Sequence, residues 1–252
     1  MTATTAGAAP MIRVEGLTIG WAGHTLQEKA SFEVERGDVF VILGGSGCGK
    51  STLLRYLVGL EEPLEGKIEL DLPPSDPSQP ERPDFGVMFQ SGALLGSYTV
   101  GENVALQLSQ WTDLPDDAIA AIVGAKLRLV GLERAIDLMP SELSGGMKKR
   151  AAIARAMALE PSLLFFDEPS AGLDPVTAAD LDELILSLNA HLGLTLVIVT
   201  HDLDSIFKMA KRCIMLDRET KSIIARGDPR VLRDTSDDPR VRDFFNRTPK
   251  GA

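Results

Sequence analysis

Gly44-Gly45-Ser46-Gly47-Cys48-Gly49-Lys50-Ser51 fits the pattern G-x-x-x-x-G-K-[ST]. Glycines in such a turn let successive backbone N–H groups converge on one anion, in conformations that a β-carbon hinders. The lysine then carries a positive charge to the β- and γ-phosphates, and the serine hydroxyl offers an oxygen to Mg²⁺. The apolar run Val39-Phe40-Val41-Ile42-Leu43 precedes the pattern, and Thr52-Leu53-Leu54-Arg55-Tyr56-Leu57 opens like a helix behind it. Strand, glycine turn and helix are the context a phosphate-binding loop needs, because a helix start adds unpaired N–H groups and the positive end of its dipole. The spacing predicts that residues 44–52 bind a nucleoside triphosphate.

Three further places could carry chemistry. Asp167-Glu168 closes the apolar run Leu163-Leu164-Phe165-Phe166. A carboxylate there can hold Mg²⁺ through water, and its neighbour could polarise an attacking water as a general base. His201 follows a second apolar run, residues 194–199, where a lone histidine is by itself more often structural. Trp21 stands before Ala22-Gly23-His24. Its ring would either stack on the adenine base or serve as a half-buried aromatic, and the sequence leaves both readings open.

Elements must bring these residues together. Residues 11–20 alternate apolar and polar and predict a strand; residues 30–35 and 67–70 predict two more, giving an antiparallel sheet near the N-terminus. Residues 71–84 carry Pro73, Pro74, Pro77, Pro80 and Pro83, which excludes a regular helix or inner strand and predicts an exposed loop. Residues 85–89 predict a short buried strand ended by Gln90. Residues 99–139 are read as mainly helical, with Val100, Val104 and Leu108 on one face and Pro115-Asp116-Asp117 as a helix start. An alanine-rich helix over 147–159 follows. The runs at 163–166 and 194–199 are apolar throughout, as inner parallel strands are. Asp174-Pro175 between them reads as a helix N-cap with proline in first position. Alternating strands and helices predict an α/β fold with a mostly parallel core sheet, whose active residues lie past the strand C-termini.

Composition sets the outer bounds. The 252 residues suit one large domain with a smaller subdomain, and 44% hydrophobic residues can fill its core. A net charge of −10 argues against broad nucleic-acid binding. No apolar run approaches the roughly 18 residues of a membrane span. Residues 1–10 lack the charged and apolar regions of a signal peptide and are expected to be disordered. Cys48 and Cys213 make no disulfide framework or metal cluster and are expected to be reduced thiols.

In the order phosphate loop, Gln90, Leu143-Ser144-Gly145-Gly146, Leu163–Asp167 with Glu168, Asp174 and His201, the chain resembles the nucleotide-binding subunits of ABC transporters from residue 11 to about 227. The resemblance implies a P-loop NTPase of ABC type with an N-terminal antiparallel β-subdomain, a helical subdomain over about 91–158, and a C-terminal tail over 228–252. It implies ATP and Mg²⁺ as ligands and ATP hydrolysis coupled to transport. Ser51, Gln90 and Asp167 would hold Mg²⁺, Glu168 would act as base, Gln90 would also touch the attacking water, and His201 would contact the γ-phosphate. Ser144, Gly145 and Gly146 would meet the ATP bound to the opposite subunit of a head-to-tail homodimer. Met147 departs from the pattern, which has glutamine after the two glycines.

Leu143-Ser144-Gly145-Gly146-Met147-Lys148-Lys149-Arg150 is similar to the ATPases of MCE/Mla-type lipid transporters. So are Phe89-Gln90-Ser91-Gly92-Ala93-Leu94-Leu95, the segment Thr99-Val100-Gly101-Glu102-Asn103-Val104, and the tail around Phe244-Phe245. The proline-rich loop is unlike that subfamily. The resemblance implies a peripheral subunit on the cytoplasmic side of a bacterial inner membrane. Its partners would be an integral membrane permease pair, an MCE-domain substrate protein reached through that permease, and a small STAS-type accessory subunit. Phe244 and Phe245 are expected to anchor the tail on a neighbouring subunit. The alternative within the family is an importer ATPase for amino acids or another small solute. A soluble ABC protein of DNA repair would need a long inserted coiled coil, and one of translation a second cassette; the sequence has neither.

Overall fold

The structure is a computed structural model that describes residues 9–21, 23–72 and 82–247. The expected disorder of residues 1–8, the prolines at 73, 74, 77 and 80, and the end of the tail at 248–252 lie outside the described residues.

Ile12–Trp21 (β1) and His24–Val34 (β2) pair antiparallel, from Ile12 opposite Val34 to Trp21 opposite His24. The second strand starts six residues earlier than its apolar stretch suggests, because the polar residues from His24 onward continue the ladder of β1 as a hairpin. Val39–Gly44 (β3) runs into Lys50–Leu57 (α1), and Glu65–Leu70 (β4) returns to the free edge of β1. A three-stranded antiparallel sheet ordered β2-β1-β4 results.

Gly86–Met88 (β5) leads into three helices, Val100–Trp111 (α2), Asp116–Leu129 (α3) and Gly145–Ala156 (α4). Thr99 starts α2 with a capping box: its hydroxyl accepts the Glu102 N–H at 3.1 Å, and its own N–H donates to Glu102 Oε2 at 2.7 Å. Asn103, fully buried, clamps the loop before that helix. It accepts from the Leu95 N–H at 2.7 Å and donates to the carbonyls of Leu95, Tyr98 and Thr99.

Leu163–Asp167 (β6), Pro175–Leu192 (α5), Thr195–Val199 (β7), Leu203–Met209 (α6) and Arg212–Asp217 (β8) complete the core. Ser222–Gly227 (β9), which no periodicity announces, pairs antiparallel with β8. Six strands form one sheet ordered β5-β6-β7-β3-β8-β9, parallel in every pair but the last. Successive side chains of a strand face opposite sides, and both sides are covered. Val39, Val41 and Leu43 of β3 enter the core shared with α2–α6, whereas Phe40 and Ile42 enter the core shared with β1, β2 and α1. Phe165 and Phe166 divide in the same way, each fully buried and each contributing about 1.5–3 kcal/mol of hydrophobic stabilisation.

Pro229–Thr235 (α7) and Pro239–Asn246 (α8) close the chain, each with an aspartate cap and proline in first position. As far as Arg247, the tail lies on its own chain. Phe245 is buried with its ring 5.6 Å from that of Phe207 on α6, and Arg240 pairs with Asp217 at 2.9 Å. Phe245 therefore has no face left for a neighbouring subunit, which corrects the expectation for that residue.

Candidate functional site

Adjacent parallel strands β6, β7 and β3 end on one edge of the sheet. Their ends bring Glu168, His201 and the phosphate loop to one place, although more than 100 residues separate the loop from Glu168 in sequence. An open cleft of about 590 Å³ is lined by Gly44, Gly45, Ser46, Gly47, Gly49, Lys50, Ser51 and Thr52, and by Gln90, Glu168, His201 and Phe244.

The loop owes its shape to its glycines. Gly44 has φ +144°, and a β-carbon there would lie 2.3 Å from the Leu216 carbonyl oxygen; β3 could not then approach β8 so closely. Lys50 Nζ donates to the Gly44 and Gly45 carbonyls at 2.9 and 3.1 Å, holding its charge over the loop. Cys48 turns inward, is buried and does not line the cleft. Burial pushes its thiol above the usual range. Its carbonyl accepts from buried Gln27 at 2.9 Å, which ties the loop to β2.

Ser51 Oγ donates to Asp167 Oδ1 at 2.9 Å. Burial raises the Asp167 carboxyl above its ordinary range, and the Ser51 hydrogen bond opposes that shift. A hydroxyl and a carboxylate at this distance, with Gln90 on the wall of the same hollow, suit a small hard cation. Among the described residues, no cluster of three or more His, Cys, Asp or Glu could hold a metal. A cation here would complete its shell with phosphate and water, as Mg²⁺ does.

Glu168 sits just past β6 with φ +47°, a left-handed conformation that costs a non-glycine residue about 1–2 kcal/mol. Its N–H donates to the Val199 carbonyl at 2.8 Å, and its carbonyl accepts the Ala171 N–H at 3.1 Å. Its side chain is largely buried, and its Oε1 lies 2.7 Å from Nδ1 of the exposed His201 ring. One carboxylate oxygen is thereby occupied, and the other is left for a water in the cleft. Asp174 caps α5: Oδ1 accepts from Val176 and Thr177, and Oδ2 from the Thr177 hydroxyl at 2.6 Å.

Besides Cys48 and Asp167, two predicted groups stay outside the cleft. Trp21 is half exposed, with its ring stacked parallel on that of His24 at 6.3 Å. Ser144, Gly145 and Gly146 form the start of α4, where Ser144 Oγ accepts the Met147 N–H at 3.3 Å. No atom of that segment lines the cleft of its own chain.

Two residues at the site escape the motif reading. Phe244 lines the cleft from the far end of the chain. Lys149 of α4 is buried, and its ammonium donates to the Gln90 carbonyl at 2.5 Å and to the Glu168 carbonyl at 3.3 Å. The signal for Lys149 was available: it shares a helical stripe with Ala152, Ile153 and Ala156, a spacing that places it on the buried face.

Residues 27–171 match the family described as ABC transporter. The chain is also 43% identical, over 94% of its length and 89% of the relative's, to the intermembrane phospholipid transport system ATP-binding protein MlaF of Escherichia coli K12. The chain belongs to the ABC transporter family. It is 41% identical, over 95% of its own length and 71% of the relative's, to a probable ribonucleotide transport ATP-binding protein of Mycobacterium leprae. Among solved ABC structures, it superposes with a TM-score of 0.75 and 27% identity on the ATP-binding cassette MJ0796, a dimer in a post-hydrolysis state bound to ADP and Pi. That match covers 86% of this chain and 98% of the other. The fold is that of an ABC ATPase domain, and the family is one that binds and hydrolyses ATP. No helix among the described residues is long and apolar enough to cross a membrane.

Proposed function

We propose that this chain is the ATP-hydrolysing subunit of an ABC transporter that moves phospholipid between the inner and outer membranes of a bacterium. The observation that carries the substrate is the 43% identity, over nearly the whole chain, to a relative named for intermembrane phospholipid transport. The subunit acts as a homodimer, peripheral on the cytoplasmic side of the inner membrane. It binds a permease pair there, and through the permease an MCE-domain substrate protein, with a small STAS-type subunit as accessory.

In this reading the loop N–H groups and Lys50 hold the ATP phosphates, while Trp21 covers the adenine. Ser51, Asp167 and Gln90 hold Mg²⁺. When bound, that ion neutralises charge on the phosphoryl oxygens. Glu168 orients a water and takes its proton as the water oxygen bonds to the γ-phosphorus and the bond to ADP breaks. His201, steadied by Glu168, faces the γ-phosphate. Ser144, Gly145 and Gly146 meet the nucleotide of the second subunit, which accounts for their distance from the cleft of their own chain. The permease is gripped near residues 90–103, where Leu95 and Tyr98 are exposed on the loop that Asn103 clamps.

The test is a tagged pull-down from detergent-solubilised membranes, with co-purifying chains identified by mass spectrometry. A multispanning permease with an MCE-domain protein and bound phospholipid is the expected recovery. A permease with a soluble solute-binding protein would replace lipid by a small solute. Recovery of no membrane partner would remove transport and leave the ATPase.

A further inference from the structure

Helix α4 begins at the Ser144-Gly145-Gly146 segment and carries two cations onto the chain after β5. Lys149 reaches the Gln90 carbonyl, and Arg155 reaches the carbonyls of Gly92 and Ala93. Lys149 alone goes further, to the carbonyl of Glu168. One ammonium thus bridges three segments: the helix behind the two glycines, Gln90 two residues past β5, and the acidic residue past β6.

The bridge meets the main chain at a residue of unusual conformation. Glu168 keeps a left-handed φ of +47°, and its carbonyl has the Ala171 N–H and the Lys149 ammonium as partners. A lysine buried to this degree needs partners for its donors, and here they are main-chain oxygens of the two residues that address the attacking water. Burial draws its pKa down, while the nearby carboxylates of Asp167 and Glu168 favour the charged form. Lys149 is not among the residues lining the nucleotide cleft, and its hydrogen bonds go to Gln90 and Glu168 rather than to the phosphate loop.

We propose that Lys149 is a positioning residue for hydrolysis, whose ammonium fixes the main chain of Gln90 and Glu168 relative to the start of α4. The inference rests on Glu168 as the base. Its consequence is a signal path: nucleotide arriving at the start of α4 from a second copy shifts a helix that is tied directly to both residues that handle water.

The experiment uses the full chain in the complex recovered with it, comparing Lys149→Met, Lys149→Arg, Glu168→Gln and Lys126→Met. Lys126 is a second buried lysine of the helical region, paired with Glu160 at 3.0 Å, and reports what losing a buried ammonium does to stability alone. Lys149→Met should lower kcat about 10- to 100-fold, the cost of misplacing groups around a reacting centre. KM and Kd for MgATP should stay within about twofold, the signature of an interaction expressed after binding. Lys149→Arg should restore most of the rate, and Lys126→Met should lower Tm without touching kcat. If Lys149→Met does not accumulate, Lys149→Gln, a neutral donor on a shorter stem, is read by the same criteria. Near-normal kcat in the Lys149 variants with Glu168→Gln inactive would overturn this inference alone. Parallel losses of Tm, KM and kcat would reduce Lys149 to a structural part and overturn it as well. A fully active Glu168→Gln would remove the base on which it rests.

Discussion

Gly146 offers a test whose size follows from one distance. A β-carbon on Gly146 would lie 2.6 Å from Cγ2 of Thr177, in the first turn of α5, well inside ordinary van der Waals contact. Thr177 cannot swing aside freely, because its hydroxyl donates to Asp174 Oδ2 at 2.6 Å. That bond is the largest influence holding the Asp174 carboxyl below its ordinary range. Gly146→Ala must therefore break this cap or push α4 away from α5. Overpacking of this kind costs about 1–3 kcal/mol, and the better helix propensity of alanine offsets at most about 1 kcal/mol. Thr177→Ser deletes only the offending methyl and keeps the hydroxyl. On that background Gly146→Ala should be neutral or slightly stabilising. Urea unfolding of the four proteins of the cycle, at constant m, should give a coupling of about 1–3 kcal/mol. In melting temperature, each kcal/mol corresponds to about 2–4 °C for a chain of this size. An equal cost of Gly146→Ala in both backgrounds would refute the contact argument.

Glu168→Gln should keep MgATP affinity while turnover falls about 10²- to 10⁴-fold, the range of a lost general base; full turnover would remove Glu168 from that role. Asn103→Ala deletes four hydrogen bonds from a buried site and should cost about 2–4 kcal/mol. Faster hydrogen exchange at the Leu95 amide should accompany that loss, and unchanged exchange would contradict the clamp. Asp182 on α5 is buried with Oδ1 unpaired, and burial raises its carboxyl pKa. The folded state then keeps this proton where the unfolded chain has lost it, so this group's contribution to stability falls as pH rises above about 4. The melting temperature of Asp182→Asn relative to the parent should therefore climb between pH 4 and 7, and a flat or falling difference would contradict the assignment.

The parts legible in the sequence are those set by local chemistry. β3, β6 and β7 are buried on both faces, so they read as unbroken apolar runs, and the cleft follows from where such strands end. The cap of α5 is written in Asp174-Pro175. What escaped depends on distant partners. Ser222–Gly227 pairs in the sheet with β8 alone, and its own residues do not alternate cleanly. The apolar face of α8 is visible in the sequence, but whether Phe207 of the same chain or a second subunit covers it is a tertiary fact. The sequence leaves Trp21 two readings, and the structure shows its ring half exposed and stacked on that of His24. The role of Lys149 needs both a helical stripe and the knowledge that two main-chain carbonyls meet it.

The strand order also sets a schedule for biosynthesis. β3, which carries the phosphate loop, pairs only with β7 and β8, which leave the ribosome about 155 and 175 residues after it. At roughly 5–20 residues per second, the strand waits on the order of ten to thirty seconds with both edges bare. The antiparallel sheet of β1, β2 and β4 can close long before that. The nascent chain thus holds a finished N-terminal sheet beside an unpaired apolar strand, the kind of edge on which chains join one another.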